Sequence, residues 1–335
     1  MRYLELDALR GMAALAVVLF HYTTRYYDFF PNSPVPTLQV NDLGYGVNLF
    51  FVISGFVISF SAASKNNAFA FLKGRILRLY PLYWAALIIT FATMTIFPHP
   101  ELTVNFATFI MNFSMLQKFA GFANVDGAYW TLAIEWVFYS TIIGLLLVKS
   151  FSKIHLFVGF MIVTNIALAA SNLMLENPII LPLKLALVYN AMAYFACGVS
   201  FYLYKTKLSS HYILAAFVVL MANHLNAFDT VLLLDLALFA LFWLFTTDNL
   251  RWLAIRPLVY LGNLSYALYL IHQNIGYVII NNLIDYVGPN MAIGLAIVTM
   301  MIVAHVLTEA TNKLVGKFLN WKKATHKAKL NIASA

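Results

Sequence analysis

Leu6-Asp7-Ala8-Leu9-Arg10-Gly11-Met12-Ala13-Ala14-Leu15-Ala16-Val17-Val18-Leu19-Phe20-His21 decides how this chain is read. The stretch is long and apolar enough to enter a bilayer, yet it carries Arg10 near one end and His21 deep inside. Ionisable groups at membrane depth are costly, and by default they mark function. Eleven residues make about three helical turns, so Arg10 and His21 share one face, roughly 16 Å apart along the axis. One helix face thus presents a cation near the membrane surface and a general base further in. Asp7 is too far along the same helix to serve His21; its spacing makes it an i,i+3 partner of Arg10.

The rest of the chain agrees with a membrane setting. Of its 335 residues, 62% are hydrophobic and only 10% are charged, with a mean hydropathy of +0.80. That composition excludes an ordinary soluble domain and points to an all-α polytopic membrane protein. Apolar runs predict ten transmembrane helices, near 7–27, 44–62, 81–98, 128–148, 155–173, 183–204, 211–225, 230–247, 258–280 and 290–315. The first of them lacks a small-residue cleavage site and reads as a retained span. Ten crossings put both termini on one side. Of the 21 Lys and Arg residues, only Arg25, Lys118 and Lys184 then fall on the other side. This asymmetry makes the basic side cytoplasmic, and a wrong span count would have scrambled it. It also explains the net charge of +8 without nucleic acid. The expected organisation is a transmembrane domain over 1–315 and a basic cytoplasmic tail over 316–335. The longest outer connection, Pro98 to Gly127, contains an apolar segment at 103–113 that is too short to span and reads as re-entrant or interfacial. The lone Cys197 excludes an intrachain disulfide and a multi-cysteine metal site, so no metal is expected.

Depth along the helices brings further candidates to one level. His21 and His272 each lie roughly 20 Å from the cytoplasmic ends of their helices, and Glu135 about 10 Å from an outer end. With a hydrocarbon core of roughly 30 Å, all three fall in the outer half. Glu135 is the expected carboxylate that orients His21 and stabilises its imidazolium. In Lys73-Gly74-Arg75-Ile76-Leu77-Arg78, Arg75 and Arg78 share a helix face on the cytoplasmic side. Paired guanidiniums match phosphate oxygens, so with Lys73 and Arg10 they suit a cytosolic phosphorylated donor. Pro81 is expected in the first turn of the following span. The competing readings are structural. An intramembrane His is often a hydrogen-bond donor, basic residues often mark topology, Glu135 could brace helices, and Cys197 reads as packing. His305 and Glu309, one turn apart in the inner half of the last span, read as a structural pair.

Five segments together resemble the acyltransferase 3 family of integral membrane acyltransferases. They are Arg10-x10-His21, Gly46-Val47-Asn48-Leu49-Phe50-Phe51-Val52-Ile53-Ser54-Gly55-Phe56, the Arg75-x-x-Arg78 pair, the Tyr-Trp-Thr-Leu-x-x-Glu run ending at Glu135, and the Ser-Tyr-x-x-Tyr-Leu-x-His run through Tyr269 to His272. The resemblance covers nearly the whole chain and fits a stand-alone type without a C-terminal hydrolase-like domain. It implies transfer of an acyl group, usually acetyl, from cytosolic acyl-CoA to a hydroxyl of a cell-surface glycan or its lipid-linked precursor, such as a lipopolysaccharide or another polysaccharide. It implies that His21 is essential, that Ser54, Tyr269 and His272 support the site, and that the setting is a bacterial inner membrane. Acetyl-CoA enters as a substrate, and no permanently bound cofactor is expected. Homo-oligomerisation stays open. The alternative function is a proton-coupled transporter of a glycan or small polar solute, which also uses intramembrane His and Glu.

Overall fold

The computed structural model describes residues 2–174, 189–224 and 230–333, with side chains described over 2–167, 191–222, 224 and 231–321. Among them the chain is all-helical. The principal helices are α1 (Leu4–Thr23), α2 (Gly46–Lys65), α3 (Ala68–Ile96), α4 (Phe106–Asn112), α5 (Trp130–Leu147), α6 (His155–Met174), α7 (Tyr189–Lys207), α8 (His211–Met221), α9 (Thr230–Thr246), α10 (Arg256–Val287) and α11 (Pro289–Ala333). Each of the ten predicted apolar segments is helical where described. Lys184 and the start of the sixth segment lie outside the described residues. Among the described residues, four helical stretches are long and apolar enough to cross a membrane: Asn41–Lys65, Ala68–Ile96, Gly127–Leu147 and Pro289–Trp321. The helices α1 and α10 are not among these four. They carry the polar residues of the site, Asp7, Arg10 and His21 on one and Ser265, His272, Gln273 and Asn274 on the other.

Local sequence sets the end at which the basic residues gather. Asn66 ends α2 in the left-handed region at φ 44°, which Asn tolerates better than most residues. Asn67 then caps α3, its side-chain oxygen accepting from the Ala70 N–H at 2.8 Å. This tight reversal starts α3 well before Pro81, which therefore sits inside the helix and not in its first turn as expected. A proline within a helix removes one backbone hydrogen bond, a loss that packing in a bundle offsets. The consequence is that Arg75 and Arg78 ride on the same rigid rod as the apolar stretch beyond. The expected re-entrant segment forms the short helix α4, capped by Asn105 and held by the Tyr83 hydroxyl, which donates to the Asn112 carbonyl at 2.6 Å. The helix α11 runs on through the predicted tail.

Glycines bring two helix pairs into backbone contact. A Cβ on Gly11 of α1 would meet the Gly262 nitrogen of α10 at 2.7 Å, and one on Gly262 would collide with the Asp7 carbonyl oxygen. In the same way Gly55 of α2 faces the Phe195 carbonyl, and Gly198 of α7 faces the Val52 carbonyl. Small residues at crossings let membrane helices approach closely and gain dispersion contacts. The first crossing fixes α1 against α10 and thereby sets the register of their histidines.

Candidate active site

A cavity of about 900 Å³ reaches from Arg2 and Tyr3 at the start of α1 to Thr131 and Tyr269. Arg10, Arg75 and Arg78 line it, as do Asp7, Ser54 and Glu135. Asp7 accepts from Arg2 Nε at 2.6 Å and lies 4.0 Å from Arg10 Nη1, the pairing its spacing predicts. Arg75 is only 7% exposed. One Nη donates to the Ser61 hydroxyl at 3.2 Å, and the guanidinium lies over the rings of Phe71 and Tyr139. Its Nε is buried without a partner. A buried donor left unmade is costly, and it belongs to a side chain that lines a cavity sized for a ligand. Lys73, two residues before Arg75, points to another side of α3 and is exposed outside the cavity. The structure therefore separates it from the arginines with which it was grouped.

Beyond the cavity floor the two histidines meet. The rings of His21 and His272 pack edge to face, with centroids 4.7 Å apart. Each Nδ1 lies 2.8 Å from a backbone carbonyl, that of Val17 for His21 and that of Tyr269 for His272. A carbonyl only accepts, so each Nδ1 carries the hydrogen, and each neutral ring keeps its lone pair on Nε2. His272 is fully buried and its Nε2 has no partner. Its own carbonyl accepts from the Tyr22 hydroxyl at 2.7 Å, a further tie between α10 and α1. Tyr269 joins the two regions. It lines the cavity, its hydroxyl donates to the Ala128 carbonyl at 3.1 Å and lies 3.0 Å from the Thr131 hydroxyl, and its ring centroid is 5.7 Å from that of His272. Around it Val17 and Ala128 pack with Val47 and Phe50. The histidines do not themselves line the cavity; Tyr269, which does, packs beside His272.

The structure brings His21 to His272 but not to Glu135. Glu135 instead accepts from the Tyr139 hydroxyl at 2.6 Å on the cavity wall. The orienting role expected of it is filled by the Val17 carbonyl, one helical turn before His21. An i−4 carbonyl is available to any helical side chain that can reach back, so this partner leaves no spacing signature in the sequence.

Several residues escaped the sequence reading. Arg2, Ser61, Tyr139 and Tyr260 line the cavity, as do His305 and Glu309, which the sequence suggested only as a structural pair. Asp126 is fully buried and accepts from the N–H groups of Ala128 at 2.9 Å and Asn274 at 3.0 Å. It fastens the connection before α5 to α10 just past His272. Burial pushes its carboxyl up to about 7, against the pull of those two N–H donors. Asp235 forms a separate buried cluster with His224 Nε2 at 2.8 Å and the hydroxyls of Tyr45 and Tyr194. That cluster braces α9 against α7 and the start of α2. Cys197 is buried and free, in keeping with packing. Among the described residues no group of His, Cys, Asp and Glu could hold a metal ion.

Comparison with known proteins places the chain. A family profile described as an acyltransferase domain matches residues 3–309. Acyltransferase MdmB of Streptomyces mycarofaciens is 31% identical over 148 residues, 41% of this chain and 37% of that protein. Protein 2 in the picA locus of Rhizobium radiobacter is 38% identical over 92 residues, 26% of this chain and 42% of that protein. The alignments therefore span less than half of either relative. No solved structure matches the chain. With the profile covering both histidine-bearing helices and the arginine cavity, the chain belongs to the acyltransferase 3 family.

Proposed function

We propose that this protein is a membrane O-acyltransferase that moves an acyl group, most simply acetyl, from cytosolic acyl-CoA to a hydroxyl of a surface carbohydrate or its lipid-linked precursor. In this reading the ten apolar helices span a bacterial inner membrane and both termini are cytoplasmic, as the charge asymmetry requires. The arginine end of the cavity faces the cytosol. Arg10, Arg75 and Arg78, which line the cavity together, hold the donor's phosphates. The thioester extends toward Tyr269. The observation that carries the proposal is the state of His21. With Nδ1 held by Val17, it offers Nε2 as a base beside His272, whose ring neighbour Tyr269 lines the cavity.

The reaction balances without further reagents. His21 Nε2 takes the proton of the acceptor hydroxyl as its oxygen forms a bond to the thioester carbonyl carbon. The tetrahedral adduct collapses, the carbon–sulfur bond breaks, and the CoA thiolate leaves with its electron pair. The imidazolium returns the proton to that thiolate. The rival is a covalent acyl-histidine at His21 Nε2, which radiolabelled acetyl trapped on His21 without acceptor would reveal. A proton-coupled carrier has no need of several arginines facing one cavity. The reading is tested by the composition of surface glycans from cells with the gene, without it, and with His21→Ala. Loss of one O-acetyl group in both altered strains is expected; an unchanged acetylation pattern overturns the proposal.

A further inference from the structure

The cavity has a second wall that phosphate binding does not explain. His305, Thr308, Glu309 and Asn312 follow one face of α11 and line the cavity along with Tyr260 of α10. The Tyr260 hydroxyl lies 3.0 Å from His305 Nδ1, and the two ring centroids are 6.0 Å apart. Tyr260 is about 6 Å from the start of α10 and Arg10 about 9 Å from the start of α1, so this wall stands at the arginine end. A carboxylate beside phosphates is repulsive, so Glu309 is out of place unless the ligand also offers it hydrogen-bond donors. A nucleoside does, through ribose hydroxyls and an exocyclic amine, and its flat base suits the Tyr260 and His305 rings.

We infer that the Tyr260–His305–Glu309 wall receives the base and ribose of a phosphorylated nucleoside whose phosphates lie on the arginines opposite. This rests on the donor proposed above and assigns its recognition to residues outside the five family-like segments. From Tyr260 to His272 is roughly 18 Å along α10, so a donor held at its nucleoside end needs a long arm to reach the histidines. The wall then fixes the head of the donor, and the arm fixes where the thioester lands.

The test compares two donors on reconstituted protein: acetyl-CoA, and acetyl-pantetheine, which carries the same thioester but no nucleotide. The wild type is expected to favour acetyl-CoA in kcat/KM. His305→Ala and the isosteric Glu309→Gln are each expected to lower that preference about tenfold, the effect of about 1.4 kcal/mol of lost recognition. Calorimetric binding of adenosine 3′,5′-bisphosphate should weaken by the same factor, and it decides the matter for any variant that has lost turnover. An unchanged preference, or unchanged bisphosphate affinity, overturns the inference while leaving the acyltransferase reading intact. A wild-type protein that turns over neither donor removes both.

Discussion

His21 and His272 sit 251 positions apart in sequence and pack edge to face in the structure, with ring centroids 4.7 Å apart. Their Nδ1 atoms are both committed to carbonyls, so the chemistry available at this contact belongs to the two Nε2 atoms. When His21 gains a proton, the ring packed against it carries a buried, unpartnered Nε2. His272→Gln is therefore expected to lower kcat about 10- to 100-fold, equivalent to a charged hydrogen bond of about 1.5–3 kcal/mol. KM for acetyl-CoA should change little, and initial-rate kinetics would show the split. A rise in KM alone would place His272 in donor binding.

Arg75 lines the cavity with its guanidinium over the Phe71 and Tyr139 rings, and a lysine there keeps the charge but loses the planar fork and the ring contacts. Arg75→Lys should raise KM for acetyl-CoA at least tenfold, in line with a charge-assisted bond of about 1.5–3 kcal/mol. Lys73→Ala, which alters an exposed side chain off the cavity, should leave KM within about twofold, since surface substitutions rarely exceed ±0.5 kcal/mol. Similar effects for the two variants would contradict the separation of Lys73 from the site.

The contact of α1 with α10 depends on Gly262, where a Cβ meets backbone. Gly262→Ala should destabilise the protein by about 1–3 kcal/mol through overpacking, lowering its thermal midpoint in detergent. Gly294→Ala, with open space around it, should be neutral or gain up to about 1 kcal/mol. Equal midpoints for the two variants would refute the close approach.

Asp126 gives the stability a pH dependence of known sign. Its carboxyl lies near 7 in the folded protein against an ordinary 3.8, so the folded state holds the proton more tightly. That contribution is complete below about 4 and is lost as pH rises to about 7. The thermal midpoint of the wild type should fall between about pH 4 and 7, and Asp126→Asn should flatten that fall. Parallel pH profiles would assign the slope to other groups.

The sequence made the helices and the level of the histidines legible, because hydropathy and a fixed rise per residue carry that information. Neighbours were not legible. Depth put Glu135 level with His21, yet only packing shows that His272 occupies that place while Glu135 faces Tyr139. Arg75 and Arg78 were readable from their three-residue spacing, and Lys73 was misgrouped because closeness in sequence is not a shared helix face. Pro81 misled because its usual place in a first turn was outweighed by the Asn67 cap upstream. Asp126 and Asn274 gave no signal at all, since the Asn274 backbone N–H donates to the Asp126 carboxylate across 148 positions.

The central claim is that His21 Nε2 is the base of acyl transfer. The direct measurement is CoA thiol release from acetyl-CoA by protein reconstituted in liposomes with a lipid-linked glycan acceptor, wild type against His21→Ala, each checked for an unchanged thermal midpoint. The account predicts a fall of about 10²- to 10⁴-fold, the range expected when a general base is lost. A His21→Ala protein that folds and releases CoA at the wild-type rate would contradict it.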